Sequence, residues 1–181
     1  GRMRRLIEEI VGHEVSDEAI SVSIEVFNEN RRLMRELYEI KREAPWLVTA
    51  DEAYALVAIG GVIPREEHND LLSSVLPMLR ERETRREDRI RVVFEGAFCE
   101  QPPLDLVRML GRTCYVVDDD FLIGMRYLLE DVPVTDNPLL SLSEAYIEQS
   151  SYSPVQHDNR KPKEDMLLQR IKESRADAAI V

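Results

Sequence analysis

The stretch RIRVVFEGAFCEQPPLDLVRMLGRTCYVVDDDF, Arg89 to Phe121, decides the fold. Ile90, Val92, Val93 and Phe94 form a short apolar run closed by Glu95-Gly96, the pattern of a buried parallel strand. Pro102-Pro103 opens a helix, because proline suits a first turn whose N–H groups have no intrahelical partner. Leu104, Leu106, Val107, Met109 and Leu110 fill that helix, and Gly111 ends it. Cys114 to Val117 makes a second strand. A strand, a crossover helix and a second strand are the repeating unit of parallel sheets. Ligands of such sheets bind beyond the carboxyl ends of the strands. Two loops fall there. The first carries Cys99, Glu100 and Gln101; the second carries Asp118, Asp119 and Asp120. These six residues are the candidate site.

Upstream, residues 1–88 read as a helical region. Leu6, Ile7, Ile10 and Val11 share one face of a short helix that Gly12 stops. Ser16 caps a second helix, from Asp17 to about Lys41, with Ile20, Ile24, Phe27, Leu33, Leu37 and Ile40 as its core stripe and Pro45 beyond its end. Thr49 and Glu52 form a capping box for a third, which Gly60-Gly61 stops. A fourth follows Pro64, with a kink expected at Pro77. Trp46 and Tyr54 are expected to pack helices two and three together. The run Arg80, Arg82, Arg85, Arg86, Arg89, interleaved with Glu81, Glu83, Glu87 and Asp88, reads as a solvated, salt-bridged helix end.

Downstream, Phe121 to Leu129 reads as a short helix, and Asn137-Pro138 starts another. Residues 150–162 read as an exposed loop, Lys163 to Arg175 as an amphipathic helix, and Ala178 to Val181 as a third buried strand. The fold class is therefore α/β. The helical region leads into residues 89–181, part of a Rossmann-like three-layer lobe with a parallel sheet of about three strands, truncated at the third. A chain that stops inside a core strand, and starts at Gly1 without Met, reads as an internal fragment of a longer protein. The other reading is an edge strand closing a small three-stranded sheet.

The net charge of −11 and the absence of a basic face argue against nucleic acid as a partner. No apolar run approaches the roughly 20 residues of a membrane span, and no leader sequence is evident, so the expected location is the cytoplasm. Glycine spacing supports no nucleotide fingerprint. Cys99 and Cys114 are too few for a disulfide scaffold or for a cluster held by this chain alone. Cys99 admits two readings, a thiolate favoured by a helix N-terminus or an inert buried thiol. Cys114 reads as core. Asp118 to Asp120 also admit two, a divalent-cation site or caps for a helix starting near Phe121. His13, His68 and His157 are dispersed near turns and read as solvated.

Two segments carry a resemblance. EVFNENRRLMRELYEIKREAPWLVTADEAY, Glu25 to Tyr54, resembles a helical segment of the 2-hydroxyacyl-CoA dehydratase subunits and the related ATP-dependent benzoyl-CoA reductases. The shared pattern falls on Asn28, Arg31, Leu33 and Leu37, with Lys41-Arg42 one place off. FEGAFCEQPPLDLVRMLG, followed two residues later by CYVVDDDF, is similar to the B- and C-type iron–sulfur subunits of the reductases.

The resemblance implies a paired iron–sulfur subunit, a 4Fe-4S cluster near the acyl-CoA, and a separate ATPase activator that uses ATP and delivers low-potential electrons. In the reductases those electrons go to the ring of an aromatic acyl-CoA; in the dehydratases they start radical removal of a hydroxyl group. The family's cluster cysteines are expected outside this chain, so Cys99 is not assigned as a ligand, no metal ligands are expected here, and the chain alone is expected to be inactive. Cys99, Glu100, Gln101 and Asp118 to Asp120 are expected to line one wall of the cleft between lobes. Two other readings stand beside this one: a non-catalytic interaction module, and a metal-dependent enzyme using the aspartates.

Overall fold

A computed structural model describes residues 2–95, 102–120, 130–149 and 163–181. The expectations for Phe121 to Leu129 and for the loop 150–162 lie outside the described residues. Those described form seven helices and a three-stranded parallel sheet, an α/β protein with an N-terminal helical region.

The helices are α1 (Arg2–Val11), α2 (Asp17–Glu43), α3 (Ala50–Ile59), α4 (Arg65–Arg80), α5 (Leu104–Thr113), α6 (Pro138–Glu148) and α7 (Lys163–Glu173); the strands are β1 (Ile90–Phe94), β2 (Cys114–Asp119) and β3 (Ala178–Ile180). Local chemistry accounts for several boundaries. Gly12 follows α1 at φ +76°, a conformation that favours glycine. The Ser16 side chain accepts from Ala19 N–H at 3.1 Å, opening α2. Thr49 and Glu52 form the capping box of α3. Asn137 caps α6.

α2 is the long central helix. Its carboxyl-terminal half packs on α4, burying Leu33, Leu37 and Ile40 with Leu72, Leu76 and Leu79. Its amino-terminal half packs on α6 through Ile24, with Val132 and Ala145. Asn28 pins the segment between, its side-chain amide donating to the Val132 carbonyl and accepting from the Val132 N–H, both at 2.8 Å. Phe27, placed in the core stripe by its spacing, is exposed instead, with the Arg65 guanidinium over its ring at 4.8 Å. The apolar face of α1 also stays largely open, and no residue of that helix is buried.

The sheet order is β2-β1-β3, every pair parallel. β2 is longer than its apolar run suggested: Asp118 and Asp119 belong to it. The reason is a shift in register. Val92 lies opposite Val116, but Val93 lies opposite Asp118, so Val117 is the extra residue and the strand is re-aimed at its carboxyl end. Among the described strands β3 lies at one edge of the sheet, and its Ala178 and Ala179 are exposed in this chain.

Four further expectations are corrected. Gly111 does not end α5, which continues to Thr113; a Cβ there would stand 3.2 Å from that of Ala50, so the glycine lets α3 and α5 approach closely. Tyr54 packs with the cluster of Val92, Val107, Cys114 and Val116, while half-buried Trp46 lies under Arg86, whose guanidinium sits 5.1 Å from its ring centroid. The charged run after Arg80 is a non-helical connector: Arg82 pairs with Glu52 at 2.8 Å, and Arg80 with Glu36 at 3.2 Å. His68 is fully buried in α4, at 0% exposure.

Candidate functional site at the strand carboxyl ends

The topology marks one end of the sheet. β1 is central, and the chain passes from it to β2 on one flank and enters β3 on the other. Ligands of open parallel sheets bind in the crevice outside the carboxyl ends, where strand order reverses. At that end the main chain presents Glu95 just after β1, and Asp118, Asp119 and Asp120 at the end of β2. Glu95 N–H donates to the Ile180 carbonyl at 2.8 Å, and Asp120 N–H to the Phe94 carbonyl at 3.2 Å, so hydrogen bonds hold the three strand ends level.

Four of the side chains here are ionisable and nearly inaccessible: Asp118 is 0% exposed, Lys41 3%, Asp119 4% and Glu95 7%. An isolated charge so placed is strongly unfavourable, and each of these has a partner. Lys41, in the last turn of α2, binds Asp119, which also accepts from the Tyr38 hydroxyl at 2.9 Å. The Lys41 ammonium lies 4.4 Å from the Tyr38 ring centroid, adding a cation–π contact. Arg42 reaches Asp118 at 3.3 Å. Arg170, from α7, approaches Asp118 at 3.4 Å and binds Glu95. Asp118 also accepts from the Asp119 N–H at 2.8 Å. Burial alone would lower the Arg170 pKa; the fields of Asp118 and Glu95 outweigh it and hold the guanidinium above the usual arginine range.

Two basic residues at the end of α2 suit the helix macrodipole, whose negative end lies there. They also turn that helix end toward the sheet, so the helical region and α7 are fastened to the strand ends by charge as well as packing. Two of the three predicted aspartates thus meet cations rather than an open coordination site. Among the described residues, no group of three or more His, Cys, Asp or Glu is disposed to hold a metal ion. Cys99, Glu100 and Gln101 lie outside the described residues.

Cys114 sits at the amino end of β2, away from this face. It is buried, its Sγ donates to the Leu110 carbonyl at 3.1 Å, and burial pushes its thiol pKa up. With two cysteines in the whole chain, these residues do not fit the full ligand set of a 4Fe-4S cluster.

Sequence reasoning did not place Glu95, Tyr38, Lys41, Arg42 and Arg170 in this site. Lys41-Arg42 gave one signal, a basic pair in the final helical turn before Pro45. Arg170 gave none, because 52 residues separate it from Asp118.

Fold and site define an α/β protein whose polar face lies at the carboxyl ends of a parallel sheet. The family model for the 2-hydroxyglutaryl-CoA dehydratase D-component matches residues 1–181, and the chain belongs to that family. It is 34% identical over 180 residues to the C subunit of benzoyl-CoA reductase from Thauera aromatica, covering 98% of this chain and 47% of that protein. It is 26% identical over 180 residues to the beta subunit of (R)-2-hydroxyglutaryl-CoA dehydratase from Acidaminococcus fermentans, covering 97% and 47%. It is 25% identical over 177 residues to the beta subunit of lactoyl-CoA dehydratase from Anaerotignum propionicum, covering 97% and 46%. The chain spans about half the length of these relatives.

Proposed function

We propose that this chain is part of an iron–sulfur subunit of a benzoyl-CoA reductase-type complex, in which ATP-driven, low-potential electrons reduce the ring of an aromatic acyl-CoA. The observation that carries this reading is the likeness to the C subunit of benzoyl-CoA reductase, at 34% identity, against 26% and 25% for the two dehydratase subunits. A 4Fe-4S cluster, held by residues outside this chain, would supply the one-electron relay chemistry. A paired iron–sulfur subunit and an ATPase activator make up the rest of the complex, and ATP is bound by the activator. The location is the cytoplasm; no described helix is long and apolar enough to cross a membrane.

In this reading the strand-end face forms one wall of the substrate cleft. Its contribution is positional. Lys41, Arg42 and Arg170 neutralise the buried carboxylates and brace the carboxyl ends of β1 and β2. Cys99, Glu100, Gln101 and Asp120 are the proposed cleft-facing groups.

Turnover by the full-length protein with its partner and activator tests the reaction. With ATP and a low-potential donor, benzoyl-CoA loses its aromatic absorbance, and a 2-hydroxyacyl-CoA is not dehydrated. Dehydration without ring reduction assigns the chain to a dehydratase instead.

A further inference from the structure

A concavity lies away from the strand-end face. α1, the amino-terminal half of α2 and α6 enclose a groove of about 520 Å³, walled by Met3, Ile7, Ile20, Phe27 and Leu142, among others. That volume falls within the range of small-molecule sites, which are mostly apolar with a few placed polar groups. The groove has two cations at its walls, and they differ. Arg4 is engaged by Asp17 at 2.6 Å and Glu8 at 3.2 Å. Arg31 is half-buried, and its one side-chain hydrogen bond among the described residues is to the neutral Asn28 Oδ1, at 2.7 Å. Its nearby counter-charge, Asp131, is bound to Arg35 at 2.7 Å and lies 3.5 Å from Arg32. The like charges of Arg35 and Arg65 act on it as well. A half-buried guanidinium with no carboxylate bonded to it, set in an apolar wall, is complementary to one kind of occupant: an apolar body ending in a single carboxylate.

We propose that this groove binds a small apolar monocarboxylate, whose hydrocarbon body lies against Ile7, Ile20, Phe27 and Leu142 and whose carboxylate is received by Arg31. The site is about 15 Å along α2 from Lys41, which lies ten positions beyond Arg31, so it is separate from the proposed strand-end cleft and independent of the reaction proposed for it.

The test is calorimetric titration of the purified full-length protein with decanoate and, separately, decan-1-ol, which shares the chain length but lacks the charge. Saturable binding of decanoate at one site is expected, with decanol at least tenfold weaker, as loss of a charge-assisted hydrogen bond implies. Arg31→Gln should lose about the same factor, and Arg31→Lys should retain most of the affinity, both with melting curves close to wild type. Absence of saturable decanoate binding overturns the proposal, as it would if a polypeptide segment filled the groove. So does equal affinity for decanoate and decanol on the wild-type protein, a comparison that needs no variant to fold.

Discussion

Lys41 and Asp119 carry the sharpest consequence at the scale of single residues. Both are buried, and each is the other's charge partner. Removing one partner of such a pair strands the other, which costs about 3–5 kcal/mol, whereas replacing both with apolar residues of similar size is often neutral. Lys41→Met should therefore lower unfolding free energy by about 3–5 kcal/mol in chemical denaturation. Lys41→Met with Asp119→Leu should recover most of that loss, although the Tyr38 hydroxyl loses its bond to Asp119. If the single and double variants are equally unstable, the pair is not the unit described here.

His68 makes a second test. Its Nε2 lies 2.9 Å from the Leu56 carbonyl and its Nδ1 2.9 Å from the Asn30 side-chain amide nitrogen, contacts that suit a neutral ring donating through Nε2 and accepting at Nδ1. Burial first, and then the field of Arg65, push its pKa below the ordinary value, against the opposing effect of the Leu56 carbonyl. The unfolded chain therefore binds a proton at higher pH than the folded one. The stability tied to this group is present above about pH 6.5 and is lost as pH falls through the depressed folded pKa. Denaturation midpoints measured from pH 7 to pH 5 should fall, and His68→Gln should flatten that part of the slope.

At the scale of elements, α3 and α5 are set by a missing side chain. A Cβ on Gly111 would stand 3.2 Å from the Cβ of Ala50, so Gly111→Val should force the helices apart and destabilise by about 1–3 kcal/mol. Ala50→Gly should relieve part of it, which a double-mutant cycle on thermal unfolding will measure. Element boundaries were the most legible part of the sequence. The Thr49–Glu52 box, the Ser16 cap and the Gly12 stop act within a few residues of themselves, so the local string contains their whole mechanism. Gly111 was misread for the opposite reason: its neighbour, Ala50, is 61 positions away, and a glycine near a helix end looks like a stop until that neighbour is known. The extent of β2 was misread because the bulge at Val117 admits two aspartates into a strand whose apolar run had already ended.

For the whole molecule, α2 is the part that joins the rest. One half packs against α6, the other against α4, and its last turn reaches the ends of the sheet. The parallel sheet and its polar end were legible from Arg89 to Phe121. The cations that complete the site were not, because Lys41 lies 78 positions from Asp119 and Arg170 lies 75 from Glu95. Periodicity carries no information on such pairings. What the long-range contacts add is a reason for the aspartates: they fasten α2 and α7 to the strand ends.

If the strand-end face is a wall of the acyl-CoA cleft, photo-cross-linking will locate the acyl group there. A benzoyl-CoA analogue with a photoactivatable acyl group, irradiated with the full-length protein and its partner and mapped by peptide mass spectrometry, should label peptides containing Glu95 or Asp118 to Asp120, and excess benzoyl-CoA should suppress the labelling. Competable adducts found only on α1, α4 or α6, with none at the strand ends, would place the cleft elsewhere and overturn this assignment.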